Sequence, residues 1–476
     1  MSRSKELTKK TLIIAIGRIS TQLIAFLLLP LYTKLLSTEE YGSVELVTTL
    51  VHLFVPIVSL MLDQGVFRIL LNCKSEIDKK KAISSGFWTL TGFNILFFII
   101  FCIGSVNIHK DYKIWLFLIL IATTYNNLFL QIARGLNQTK DYALGSFISS
   151  LSIIIINVFC IVYLKMGVVG MLLATFCGNL ISCLFLLIKV KFYKYISLKH
   201  LEKSCIVETL VYSVPLVPNQ LSLWVMNGSD RLIVTLFLGM SVNGILAVSQ
   251  KFSAAFTTVF WIFQLAWHEV GVMHYFDKDR DIFFSDMIEK IILMFSVFCI
   301  GTIIIIPLVF NWFINPMYNS AYFNIPIYLI AALFNVVIGL LGIVYVAKKN
   351  TFEIAKSTML AAFINIIINL LLIKFLGLFA ASISTFMGYL ITMIYRIIDT
   401  KKYLKIKYNL KLYVSLTISI TVCTLVYYLN SKLISCVLLL IFLLSVIYFY
   451  KGIILLYFKK SKIILKKFLM TILSRP

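Results

Sequence analysis

Asp230 and Arg231 are neighbours in the stretch NQLSLWVMNGSDRLIV (219–234), inside an apolar run from Cys205 to Val242. A charge at mid-bilayer costs about 2.5–3.5 kcal/mol on insertion scales, so residues of this kind need a partner or a wet cavity. Two chemistries fit them. Arg donates bidentate hydrogen bonds from a permanently charged fork and so suits phosphate oxygens; Arg18 and Lys251 are the other cations embedded in apolar segments. Intramembrane carboxylates serve as relays for H⁺ or sites for Na⁺, and Glu45, Asp63, Asp230 and Glu269 are the candidates. Asp230 and Arg231 read equally as a structural pair in a segment kinked by Pro215 and Pro218, whose missing N–H groups free carbonyls upstream.

The spacing of polar residues says which segments must position these groups. In the second apolar segment (41–68), Glu45, Thr48, Thr49, His52, Pro56, Ser59 and Asp63 recur at helical intervals and form one stripe, while the other faces are Leu, Val, Ile and Phe. The eighth (242–268) repeats this with Gln250, Ser253, Thr257, Trp261, Gln264 and His268, and Lys251 lies beside the stripe. In the first (11–36) Arg18 and Gln22 are four apart, and the seventh (206–238) aligns Gln220, Trp224, Asn227 and Arg231. These four segments are expected to line a shared aqueous cavity. The plainer alternative is hydrogen bonding between helices in a packed bundle. Asn365 and Asn369, four apart in the eleventh segment, are expected to bond a neighbouring helix.

Composition makes the membrane unavoidable. The 476 residues are 60% hydrophobic and only 13% charged, with a mean hydropathy of +0.96. A spanning helix needs roughly 20 apolar residues, and fourteen such stretches follow one another almost end to end. The first is too long for a cleavable signal segment and thirteen more follow it. Long continuous runs exclude a transmembrane β-barrel, whose strands alternate. Of the 44 Lys and Arg, 35 fall on one side of the alternating loops and 6 on the other. Positive residues stay on the cytoplasmic side, so both termini are expected there. The net charge of +24 is explained by topology and contact with anionic lipid headgroups, without nucleic acid. Nine scattered Cys read as small buried hydrophobes, and no spacing suggests a metal site or a cofactor.

Residues 189–205 form the widest central break and divide the chain into six spans before and eight after. Gln22, Leu23 and Phe26 are echoed by Gln220, Leu221 and Trp224, as in the duplicated bundles of many transporters. "PLYTKLLSTEEYG" (30–42), following a basic N-terminus and a span containing Arg18, resembles the opening of bacterial polysaccharide-unit flippases of the Wzx type. These form a branch of the MOP (multidrug, oligosaccharidyl-lipid, polysaccharide) exporter superfamily. "SVPLVPNQLSLWVMNGSDRLIVTLFLG" (213–239) with "GILAVSQKFS" (244–253) resembles the start of that family's second half.

The resemblance implies an all-α polytopic protein with two pseudo-symmetric six-helix lobes around a V-shaped central cavity, plus two C-terminal helices. Residues 1–192 would form the N-lobe, 193–205 a cytoplasmic linker, 206–398 the C-lobe, and 399–476 the last two helices with a basic tail. It also implies a substrate, an undecaprenyl-pyrophosphate-linked oligosaccharide moved to the outer leaflet of the bacterial inner membrane for O-antigen or capsule synthesis. A polysaccharide polymerase and a chain-length regulator are the protein partners it suggests. Arg18, Arg231 and Lys251 match the family's cationic cavity positions and would meet the anionic carrier. Gln22, His52, Gln220, Trp224, Asn227 and Gln264 would meet sugar hydroxyls and ring faces. The rivals are a drug or cation exporter of the same superfamily and a membrane polymerase or glycosyltransferase. The latter would need a sizeable outer loop rich in acids, His or Arg, and the loops are short and nearly uncharged, as in NWFINPMYNSAYFNIP (311–326).

Overall fold

A computed structural model describes residues 26–104 and 110–445. Every regular element among them is helical: α1 (Leu29–Leu35), α2 (Thr38–Ser59), α3 (Leu62–Leu70), α4 (Glu76–Gly104), α5 (Lys110–Gly135), α6 (Thr139–Val158), α7 (Gly167–Lys189), α8 (Lys203–Ser213), α9 (Val217–Leu238), α10 (Met240–Met273), α11 (Arg280–Phe313), α12 (Ile325–Ala347), α13 (Thr351–Leu376), α14 (Leu378–Thr400), α15 (Leu410–Leu429) and α16 (Lys432–Ser445). Short 3₁₀ and π turns join some of them. Eleven helices among the described residues are long and apolar enough to cross a membrane. Fourteen spans were expected. The first and last expected spans lie partly outside the described residues. The seventh (206–238) is broken into the end of α8, a 3₁₀ turn and the 22-residue α9, whose hydropathy is diluted by Asn219, Gln220, Asn227, Asp230 and Arg231.

The second expected span differs from a single helix. Ser37 and Glu40 close a capping box at its start: Ser37 Oγ accepts from the Glu40 N–H (3.2 Å), and Glu40 Oε2 accepts from the Ser37 N–H (2.8 Å). Pro56 lacks the N–H that would bond the His52 carbonyl. Leu60 and Met61 then both adopt left-handed backbone (φ 45° and 56°), and the chain restarts as α3. The polar stripe therefore ends at Ser59, and Asp63 belongs to a separate, re-oriented helix. Proline also shapes the seventh span, where a 3₁₀ turn, Val214–Leu216, separates α8 from α9 as Pro215 and Pro218 require.

The chain divides into two compact units. One holds the described residues up to Ile292 together with Phe313–Tyr408, which takes in the described part of the first half and, up to Tyr408, the second half except Leu293–Trp312. The other holds Leu293–Trp312 and the chain from Asn409 onward. Within the larger unit, one apolar core gathers Leu62, Val66, Ile83, Leu128, Ile132 and Leu186 from the first half. A second gathers Ile233, Val234, Leu246, Tyr328 and Ile373 from the second half. The linker after α7 is pinned to α4: Ser84 Oγ donates to the Tyr195 carbonyl (2.5 Å) and accepts from the Ser197 N–H (3.1 Å). Beside it, Lys81 Nζ lies 2.8 Å from Glu202, and this hydrogen bond holds the Glu202 carboxyl below its usual range.

The two halves meet most closely where α2 crosses α10. A Cβ on Gly42 would collide with the Met240 carbonyl, and one on Gly244 with the Thr38 carbonyl, so each backbone lies in the space that only Gly leaves. Asn243 Nδ2 donates to the Gly42 carbonyl (2.8 Å), and Thr38 Oγ1 lies 2.6 Å from Ser241 Oγ. The Tyr318 hydroxyl is 3.1 and 2.9 Å from the carbonyls of Leu36 and Ser37. Overpacking such a contact costs about 1–3 kcal/mol. Gly42→Ala and Gly244→Ala are each expected to lower the thermal unfolding midpoint in detergent, and Gly92→Ala, which meets nothing within 4 Å, is not.

Candidate functional site

Three residues along α2 from Gly42, less than one turn past the glycine contact, an ionic cluster joins the halves. Glu45 from α2 is buried, with its two carboxylate oxygens divided between two cations. Oε1 lies 2.8 Å from Lys251 Nζ of α10, and Oε2 accepts from Arg231 Nη1 of α9. Glu45 and Thr49 are four apart and share a helical face, so Arg231 Nη1 also reaches Thr49 Oγ1 (3.3 Å). Arg231 Nε donates to Gln250 Oε1 (2.9 Å), and Gln250 in turn reaches the Tyr328 hydroxyl (3.5 Å). Arg231 Nη2 makes no hydrogen bond among the described residues.

Side-chain exposure falls in the order Lys251 29%, Arg231 15%, Glu45 9%, so the cations are the accessible members. Two cations and one carboxylate leave one uncompensated positive charge. Breaking a buried pair by deleting one partner costs about 3–5 kcal/mol. The same low dielectric makes an anion arriving beside the exposed cations well held.

Asp230 and Arg231 do not pair. Successive helical residues point about 100° apart, so while Arg231 faces α2, Asp230 faces α13 and α14. Its carboxylate is buried and accepts from Asn369 Nδ2 (2.7 Å), Thr385 Oγ1 (2.6 Å) and Ser384 Oγ (3.4 Å). Asn365 joins the group through Ser229 (3.1 Å), with its amide nitrogen 3.3 Å from Asp230 when turned toward it. Asn369 Oδ1 is buried and has no hydrogen-bond partner among the described residues. Asn365 and Asn369 thus bond a neighbouring helix as their spacing suggested, and the residue they meet is a carboxylate. Thr385 and Ser384 are not singled out by the sequence, since hydroxyl residues in a span ordinarily bond their own helix's carbonyls, as Ser384 Oγ also does to the Ala381 carbonyl (2.9 Å).

The remaining expected residues scatter. Arg18 and Gln22 lie outside the described residues. Trp224 Nε1 donates to the Thr49 carbonyl (2.9 Å), which ties α9 to α2 beside the ion cluster. His52 is exposed on α2; Gln220 and Asn227 are exposed on α9, and Asn227 donates back to the Leu223 carbonyl (2.7 Å). Trp261, farther along the α10 stripe, is 58% exposed, and Gln264 packs toward Gly339 of α12. Asp63 accepts from the neighbouring Gln64 (2.7 Å), away from the ion cluster. Glu269 makes no hydrogen bond or ion pair among the described residues. No group of three or more His, Cys, Asp or Glu among the described residues could hold a metal ion.

A family model described as "Polysaccharide biosynthesis protein" matches residues 7–267. A search of curated proteins finds no match. Among solved structures, "Lipid II flippase MurJ, inward closed conformation" superposes with a TM-score of 0.68 at 16% identity, covering 93% of this chain and 100% of that one. An inward-facing multidrug-resistance MATE transporter of the MOP superfamily gives 0.67 at 13% identity over 82% and 97%. A MOP transporter from Pyrococcus furiosus, described by the reversed polarity of its binding pocket, gives 0.56 at 15% identity over 83% and 95%. The chain therefore has the MOP transporter fold.

Proposed function

The chain belongs to the polysaccharide biosynthesis protein family, and from that premise we propose that it flips an undecaprenyl-pyrophosphate-linked oligosaccharide across the bacterial inner membrane. It is a multi-pass membrane protein of the MOP transporter class and not an enzyme. The observation that carries the finer reading is the meeting of Arg231 and Lys251 at a partly exposed site between membrane-crossing helices of the two halves. A guanidinium and an ammonium side by side suit a diphosphate, which offers several oxygens to a fork and a point charge. One net positive charge there disfavours the organic cations of a drug exporter.

In this reading the helices form two six-helix lobes with two further helices, fourteen spans in all, and both termini are cytoplasmic. The glycine contact between α2 and α10 then closes the outer side. His52, Asn227, Gln220 and Trp261, exposed beyond the ion cluster, line the route from the cytoplasm and offer hydrogen bonds and a ring face to sugars. The lipid tail stays in the bilayer while the headgroup crosses about 30 Å of hydrocarbon.

Asp230 is the coupling residue in this account. A buried carboxylate surrounded by Thr385, Ser384 and Asn369, with the Asn369 carbonyl oxygen unpartnered among the described residues, is an oxygen set suited to Na⁺ or, with fewer ligands engaged, to a proton. Its neighbour Arg231 holds the other half, so a change at Asp230 acts on the same helix as the anion site. A deletion strain tests the function: lipid-linked oligosaccharide should accumulate on the cytoplasmic leaflet and surface polymer should vanish. Normal polymer with altered drug sensitivity would favour the exporter instead.

A further inference from the structure

Glu45 poses a problem for an anion site, because the two cations that would receive a phosphate already share a carboxylate. We propose that Glu45 is an internal stand-in for the substrate's phosphate, displaced from Arg231 and Lys251 by the incoming diphosphate, and that its displacement unlatches α2 from α9 and α10. This rests on the anion-site reading above.

Three features of the structure support it. The carboxylate bridges the cations with one oxygen to each, the pattern a phosphate would adopt on the same two groups. On the Thr38 side the helices are held together by the glycine contact and the Asn243 hydrogen bond, whereas His52 and Trp261, toward the other end of the same helices, are exposed. Lys251 and Arg231 are the more exposed members of the cluster, Glu45 is the least exposed, and Arg231 Nη2 makes no hydrogen bond among the described residues. Finally, Glu45 is the α2 carboxylate in an ion cluster whose cations both come from the other half. Moving its charge off the cations therefore removes the ionic attachment between the halves at this level, and neutral contacts such as Thr38 with Ser241, no longer backed by it, separate more readily.

An ionised carboxylate competes with the ligand, so removing its charge should strengthen binding. This outcome separates a stand-in from a structural partner, since loss of a structural partner weakens binding or leaves it unchanged. The test uses the full chain in nanodiscs with farnesyl pyrophosphate as probe. Glu45→Gln is expected to bind about tenfold more tightly than the unaltered protein, and Arg231→Ala to lose binding. In a Thr38→Cys/Ser241→Cys background, saturating farnesyl pyrophosphate should lower the yield of the linked peptide at least about threefold, a shift of population toward the separated state. Glu45→Gln should lower that yield with no ligand present.

If Arg231→Ala loses binding while Glu45→Gln gains none, the anion site stands and the stand-in role is wrong. Binding indifferent to Arg231→Ala overturns both. Should Glu45→Gln fail to fold, the cross-link decides: a yield unchanged by bound farnesyl pyrophosphate contradicts displacement, and a fall supports it.

Discussion

Arg231→Ala should leave cells without surface polysaccharide even when membrane abundance is matched to that of the unaltered protein. The guanidinium makes four contributions at once: an ion pair to Glu45, hydrogen bonds to Thr49 and Gln250, and a donor group left for a ligand. Truncating one partner of a buried, hydrogen-bonded charge pair costs about 2–5 kcal/mol, or about 30-fold or more in affinity. It also leaves Glu45 with Lys251 alone, so part of the loss is stability, and thermal unfolding must be followed alongside. Arg231→Lys separates the terms. It keeps the charge and loses the fork, so polymer should be reduced and not absent. Full polymer from Arg231→Ala would remove the proposed anion site.

Asp230→Asn is expected to have the second largest effect, of a different kind. The substitution preserves size and most of the contacts with Asn369, Ser384 and Thr385 while removing the charge. Binding of a pyrophosphate lipid should stay within about threefold of the unaltered protein, because the anion site lies on the other face of α9, whereas gradient-driven flipping should fall by about a hundredfold. Collapsing the Na⁺ or the H⁺ gradient separately should slow the unaltered protein in only one case and leave the residual rate of Asp230→Asn unchanged in both. Gradient dependence that survives in Asp230→Asn would transfer the coupling role to another carboxylate. Glu269 is then the next candidate, since it makes no hydrogen bond or ion pair among the described residues.

The helical class and the membrane location were legible in the sequence because both follow from composition and run length. Stripe spacing carried further. Glu45, Thr49, Gln250, Trp224 and Arg231 were all marked by helical periodicity, and the structure brings them together because a buried polar face in one span must meet a polar face in another. Lys251 sits beside its stripe, yet its long flexible side chain reaches Glu45 from there. What escaped was what only three-dimensional packing decides. The left-handed pair Leu60–Met61 has no Gly or Asn to announce it, so α2 and Asp63 read as one helix. Adjacency made Asp230 and Arg231 look like partners, although neighbours on a helix face different ways. The glycine contact was invisible because Gly42 and Gly244 matter only through the backbone opposite each.

Direct binding of undecaprenyl pyrophosphate to the purified chain in nanodiscs, read by native mass spectrometry against undecaprenyl monophosphate and a neutral polyprenol, tests the central claim most closely. The expected order is diphosphate over monophosphate over alcohol, with the diphosphate preference lost in Arg231→Ala and Lys251→Ala alike. Equal binding of all three lipids, or a preference that survives both substitutions, would contradict an anion site between α2, α9 and α10.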